Sequence, residues 1–132
     1  MATNINVEFA IVADYFNPNI ITEKLKIEPD EFWIKGEKVL GKPIKRKDTT
    51  WSINTGYEET LYVSELLSKM LNRLREKKEI LCELKQLYKL EYYFIIVINI
   101  ENNYSPAIDF NSEFIEFAND IKAEVDIPIY IF

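Results

Sequence analysis

The chain has 132 residues, 48% hydrophobic and 14% aromatic, and a formal net charge of −6 at pH 7. A chain of this size suits one domain over residues 1–132 and buries enough surface for a sizeable core, which argues against disorder. It has no histidine and one cysteine, which excludes Ser-His and Cys-His nucleophile pairs, histidine-ligated zinc and an internal disulfide.

Residues Ile5 to Asp14 alternate, with Ile5, Val7, Phe9 and Ile11 on one side and Asn6, Glu8, Ala10 and Val12 on the other. That period of two predicts a strand with one strongly buried face. Asn17-Pro18 supplies an N-cap and a proline at the first helical position. Ile21 and Leu25 then give a short helix its core-facing stripe, which Glu28-Pro29 stops. A short extended piece is expected near Phe32 to Ile34, followed by an exposed, mobile loop punctuated by Gly36, Gly41 and Pro43. Thr49 to Thr55 resumes as a strand with Trp51 and Ile53 inward, ended by Gly56.

Ser64 is the expected cap of the next helix, where Leu67, Met70, Leu71 and Leu74 follow at helical spacing. Arg75 to Glu79 interrupts that stripe before Ile80, Leu81, Leu84, Leu87 and Tyr88 resume it, predicting two consecutive helices. Leu90 to Ile100 is the longest apolar run, rich in β-branched and aromatic residues and free of Gly and Pro. It reads as the central strand, and about 11 residues are too few for a membrane-crossing helix, which needs about 20. A third helical stripe follows at Phe114, Phe117, Ala118 and Ile121, capped by Asn111 or Ser112. Val125 to Phe132 closes the chain as a strand that Pro128 assigns to an edge or a bulge.

This order predicts an α+β fold: a two-layer sandwich with helices on one face of a largely antiparallel sheet, a ferredoxin-like arrangement being the first expectation. With helices on one side only, one face of Leu90 to Ile100 must meet something else. The options are the loop from Asp30 to Asp48 or a second subunit, since a monomer seldom leaves so large an apolar patch bare.

Several segments together resemble a bacterial family of domains of unknown function, DUF4279. They are the apolar first strand ending in Asp14, Phe16-Asn17-Pro18 to Leu25, Ile27-Glu28-Pro29, Trp33-x-Lys35-Gly36-Glu37, and Thr50-Trp51-Ser52-Ile53 with Gly56. The C-terminal helix, Val125-Asp126-Ile127 and Ile129-Tyr130 complete the likeness, which covers nearly the whole chain. Where the family tends to carry a second acid near the end, this sequence has Pro128 between Ile127 and Ile129. The resemblance implies a small stand-alone bacterial domain of the cytosol and brings no established activity. The N-terminus, without the layout of a signal peptide, and the bias toward Ile, Asn and Lys over Arg agree with a cytoplasmic bacterial chain.

Three sets of candidate residues emerge. Asp14, Glu28 and Lys35 near strand ends could anchor a ligand in a cleft lined by Trp33 and Trp51, although packing is the ordinary fate of tryptophan. Lys45, Arg46 and Lys47 close a basic run in which six basic residues from Lys35 to Lys47 face Glu37 alone, a local +5, against −11 for the remainder. The run suits either a solvated connection or an anion dock. Acid pairs such as Asp120 with Glu124 fit a solvated surface, and Cys82 has no histidine to activate it.

The leading expectation is a non-catalytic interaction module that binds another protein through an acidic surface, as an immunity protein blocks a toxin's basic site. Its rival is a small-ligand binder or carboxylate-based enzyme with a Trp-lined pocket. Self-association through an open sheet face is the further partner expectation. No metal or cofactor and no membrane are expected, and the overall charge disfavours nucleic acid.

Overall fold

The computed structural model describes residues 2–132. The first strand, β1 (Asn4–Ala13), leads into α1 (Pro18–Leu25), where the Asn17 side chain caps the helix by accepting from the Asn19 N–H. Lys26 ends α1 in the left-handed conformation at φ 58°, its N–H bonded to the Thr22 carbonyl, three residues before the expected stop at Pro29. The edge strand β2 (Glu31–Trp33) and β3 (Thr49–Asn54) then pair antiparallel. Gly56, at φ 80°, separates β3 from the two-residue β4 (Glu58–Glu59).

The long helical segment divides as expected into α2 (Val63–Leu74) and α3 (Lys78–Tyr88), joined by a tight 3-10 turn over Arg75–Lys77. Its start differs from expectation. The helix begins at Val63, so Tyr62 and not Ser64 occupies the cap position, with no side-chain hydrogen bond. The interior strand β5 (Glu91–Ile100) follows, then α4 (Ser112–Asp120), capped by Asn111, whose side chain accepts from the Phe114 N–H. The last strand is broken at Pro128 into β6 (Ala123–Asp126) and β7 (Ile129–Ile131). Proline removes one ladder donor, and the two pieces resume pairing with β5 on either side of it.

The sheet runs β2-β3-β1-β5-β6, with β4 beside β1 and β7 beside β5. Strands β2, β3, β1 and β5 are antiparallel neighbours, with helical crossovers from β1 to β2 and from β3 to β5, which is the ferredoxin-like order. The α4–β6–β7 unit extends that plan with an edge parallel to β5. The centre of the sheet is β1, with β5 next to it.

One hydrophobic cluster fills the space between sheet and helices. It joins Ile5, Val7, Phe9 and Ile11 of β1 to Tyr92, Phe94, Ile96 and Ile98 of β5 and to the inward residues of all four helices. Phe9 packs on Phe94 at 5.1 Å between ring centroids, and Phe94 on Phe114 edge-on at 5.0 Å. The period of two therefore commits one face of each strand to the core and turns the other away from the helices. No helix among the described residues is long and apolar enough to cross a membrane.

Candidate functional site

The two indoles that could have lined one cleft lie on opposite faces of the sheet. Register pairs Phe32 with Trp51 and Trp33 with Thr50, so Trp51 shares a side with Phe32 while Trp33 points the other way. Trp51 is fully buried in the core, where its Nε1–H donates to Thr22 Oγ1 at 3.0 Å. Trp33 is half-buried beneath the Arg46 guanidinium, 3.9 Å from its ring. A shared Trp33–Trp51 pocket is thereby corrected to one core residue and one surface residue.

The remaining anchors divide as well. Lys35 Nζ donates to Asp14 Oδ1 at 2.7 Å and lies 5.4 Å from the Tyr15 ring centroid. The hydrogen bond to Asp14 is the main reason the Lys35 ammonium holds its proton above its ordinary range. Glu28 instead borders a shallow depression with Pro18, Thr22, Pro29 and Phe32, on the α1 side. Of the five residues proposed for a ligand, Asp14 and Lys35 are hydrogen-bonded to each other, while Trp51 and Glu28 lie on the helix side and Trp33 on the opposite face.

The acid pairs and the thiol are equally plain. Glu113 pairs with Arg75, and Asp120 with Lys78 at 2.7 Å; all four side chains are exposed, where screening leaves an ion pair weak. Cys82 donates to the Asp120 carbonyl at 3.5 Å. Among the described residues no three Cys, Asp or Glu side chains gather as a metal-binding group.

The expected exposed loop folds into a finger closed by backbone hydrogen bonds across it. Gly36 N–H donates to the Arg46 carbonyl at 3.0 Å, Arg46 N–H to the Glu37 carbonyl at 2.7 Å, and Val39 N–H to the Ile44 carbonyl at 3.0 Å. Lys38 and Lys45 bridge across it, and Gly41, at φ 74°, supplies the left-handed residue its tip requires. Leu40 stands at that tip, 98% exposed. Within the anion-dock set, Arg46 is taken up by Trp33, while Lys45 and Lys47 are exposed.

The feature that sequence reasoning missed is the composition of the helix-free face. Register sets Glu8 beside Asn54 and Ile95, Ala10 beside Ser52 and Tyr93, Tyr93 beside Glu124, and Ile95 beside Asp126. Glu31 joins the same face through Ser52. An apolar strip of Tyr93, Ile95 and Val97 is thus bordered by Glu8 on one side and by Glu124 and Asp126 on the other, with Glu31 two strands beyond Glu8. Burial raises the Glu8 carboxyl above its ordinary range, with Glu31 and Asp30 adding to the shift. The Tyr93 phenol donates to Glu91 Oε2 at 2.7 Å and is pushed up to about 12, chiefly by that bond and then by burial and the charges of Glu91, Glu124 and Asp126. In both groups nearby acids add to a shift whose main cause is local, burial for Glu8 and the bond to Glu91 for Tyr93. Alternation along β1 put Glu8 outward, but only register brings acids from three strands onto one surface.

Comparison with known proteins adds one finding. A family model described as Domain of unknown function (DUF4279) matches residues 3–132. No curated protein and no solved structure matches the chain.

Proposed function

Since the chain belongs to the DUF4279 family, whose description carries no activity, we propose a function from the geometry: a non-catalytic module that binds a basic protein through the acidic open face of its sheet. The observation that carries this reading is the unpaired Glu8 carboxyl. It is half-buried at the centre of that face, disfavoured by its acidic neighbours, and in none of the ion pairs among the described residues. A basic side chain laid on the face would relieve that cost and gain a partner, and the surrounding acids would steer such a protein in.

The biological form we favour is an immunity-type inhibitor in a bacterial cytosol, which would cover a toxin's basic active surface without chemistry of its own. Affinity capture from the native host at low ionic strength tests this. The expected result is stoichiometric recovery of one basic protein, lost when Glu8 and Glu124 are changed to Lys, and loss of that protein's toxicity on co-expression. Recovery that is equal with wild-type and reversed faces, or no stoichiometric partner, would contradict it.

A further inference from the structure

The chain carries both halves of an electrostatic pair, and no ion pair among the described residues joins the finger's lysines to the acids of the open face. Of the basic run, only Lys35 is in an ion pair among the described residues, with Asp14. Lys38, Lys42, Lys45 and Lys47 are exposed and make none, and neither do Glu8, Glu31, Glu124 and Asp126 on the open face. Trp33 shares the helix-free face with Glu31, so the finger's base already lies on that face, and no ion pair among the described residues joins its lysines to those acids. Arg46 holds its base against Trp33 at 3.9 Å, and its cross-backbone bonds set its course. The apolar groups match in the same way: Leu40 at the tip and Ile44 beside it are 98% and 54% exposed, and the face offers the strip Tyr93, Ile95 and Val97.

We propose that the occupant of the open face is a second copy of this chain, in a two-fold dimer where each finger lies across the other copy's sheet. Leu40 then rests on the Tyr93–Ile95–Val97 strip, and the finger lysines stand between the acids that border it. Finger and face belong to the same subunit, so a two-fold axis satisfies both contacts twice and closes the assembly. The net charge of −6 opposes association, and local opposite charge overcomes it, so the dimer is a low-salt species. This inference rests on reading the open face as a binding surface and names what that surface holds when no other basic protein occupies it.

Light scattering on the intact chain, with two charge-reversed variants, tests it. At about 0.01 M ionic strength, where screening reaches about 30 Å, the wild type is expected as a dimer; at about 1 M, where it reaches about 3 Å, the dimer weakens tenfold or more. One variant carries Lys42→Glu and Lys45→Glu; the other carries Glu31→Lys and Glu124→Lys. All four side chains are exposed, so both variants keep the wild-type circular dichroism. Each alone sets like charge against like and is monomeric. Mixed, they restore both contacts and form a heterodimer. A wild type that is monomeric at every ionic strength, or a mixture that stays monomeric, overturns the proposal. The finger-reversed chain, whose face is intact, separates the two readings: if it captures one basic host protein at low ionic strength that the face-reversed chain does not capture, while the wild type stays monomeric, the face is a binding surface and only its occupant is wrong. If it captures none either, both readings fall.

Discussion

Glu8 stands across from Ile95 on the side of the sheet that no helix covers. A carboxylate beside a branched apolar side chain, with acids and no cation for neighbours, is a poor arrangement for stability. It is a good one for receiving a basic group from outside.

That arrangement fixes a pH dependence. The folded-state pKa of Glu8 lies above its ordinary value of 4.5, so the folded chain binds more protons than the unfolded chain between the two values. With respect to this group, stability is highest below the ordinary value and is lost as pH rises through the folded one. Glu8→Gln should therefore raise the melting temperature near neutral pH. The gain should stay below about 1 kcal/mol, because the carboxyl is partly solvated. The gain should vanish below about pH 3, where both states carry the proton. Thermal melts across that range check this, and the same variant should bind a basic partner more weakly, the usual opposition between stability and function.

Leu40→Asp separates association from folding. A side chain 98% exposed contributes nothing to the core, so the melting temperature should stay within the roughly 0.5 kcal/mol scatter of surface substitutions. Dimer formation in sizing experiments at low salt should fall at least tenfold. An unaltered association would remove the finger tip from the interface.

The two tryptophans should behave as different probes. Trp51→Phe gives up the hydrogen bond to Thr22 and leaves a void in a closed core, a loss of about 2–4 kcal/mol. Trp33→Phe keeps most of its stack with Arg46 and should cost less than about 1 kcal/mol. Denaturant titrations measure both, and acrylamide should quench Trp33 fluorescence well before that of Trp51.

Tyr92 offers a buried test of the α3–sheet contact. Its hydroxyl donates to the Leu81 carbonyl at 2.6 Å, and burial pushes its phenol well above the ordinary range. Tyr92→Phe should cost about 1 kcal/mol, the net worth of one such bond, since nothing else in the site changes. A neutral result in urea unfolding would show that the helix end adjusts freely.

Local periodicity made much of this fold legible. The alternation from Ile5 to Ile11, the leucines of α2 and α3, and the Asn17 and Asn111 caps each depend on residues a few positions apart, as helix and strand geometry do. What sequence did not reveal depends on register. Trp33 and Trp51 seemed able to share a cleft because nothing within either segment says that Trp33 pairs with Thr50. Glu8, Glu31, Glu124 and Asp126 are ordinary acids along the chain and become one surface only after the five strands from β2 to β6 align. The finger was hidden for a related reason: Gly36, Gly41 and Pro43 read as loop punctuation, while the bonds between residues 36 and 46 leave no side-chain pattern. Pro128 did announce a broken edge, though not that both pieces would pair parallel to β5.

The most direct measurement of the contact between finger and face is a heteronuclear NMR titration of the two charge-reversed variants at low ionic strength. The Lys42→Glu/Lys45→Glu variant, whose face is intact, is isotopically labelled, and the Glu31→Lys/Glu124→Lys variant, whose finger is intact, is added unlabelled. Shifts should concentrate at Asn6, Glu8, Tyr93, Ile95 and Glu124 and along the finger, with α2 and α3 unmoved and the changes suppressed by salt. Shifts confined to the helical layer, or none at all, would contradict that contact.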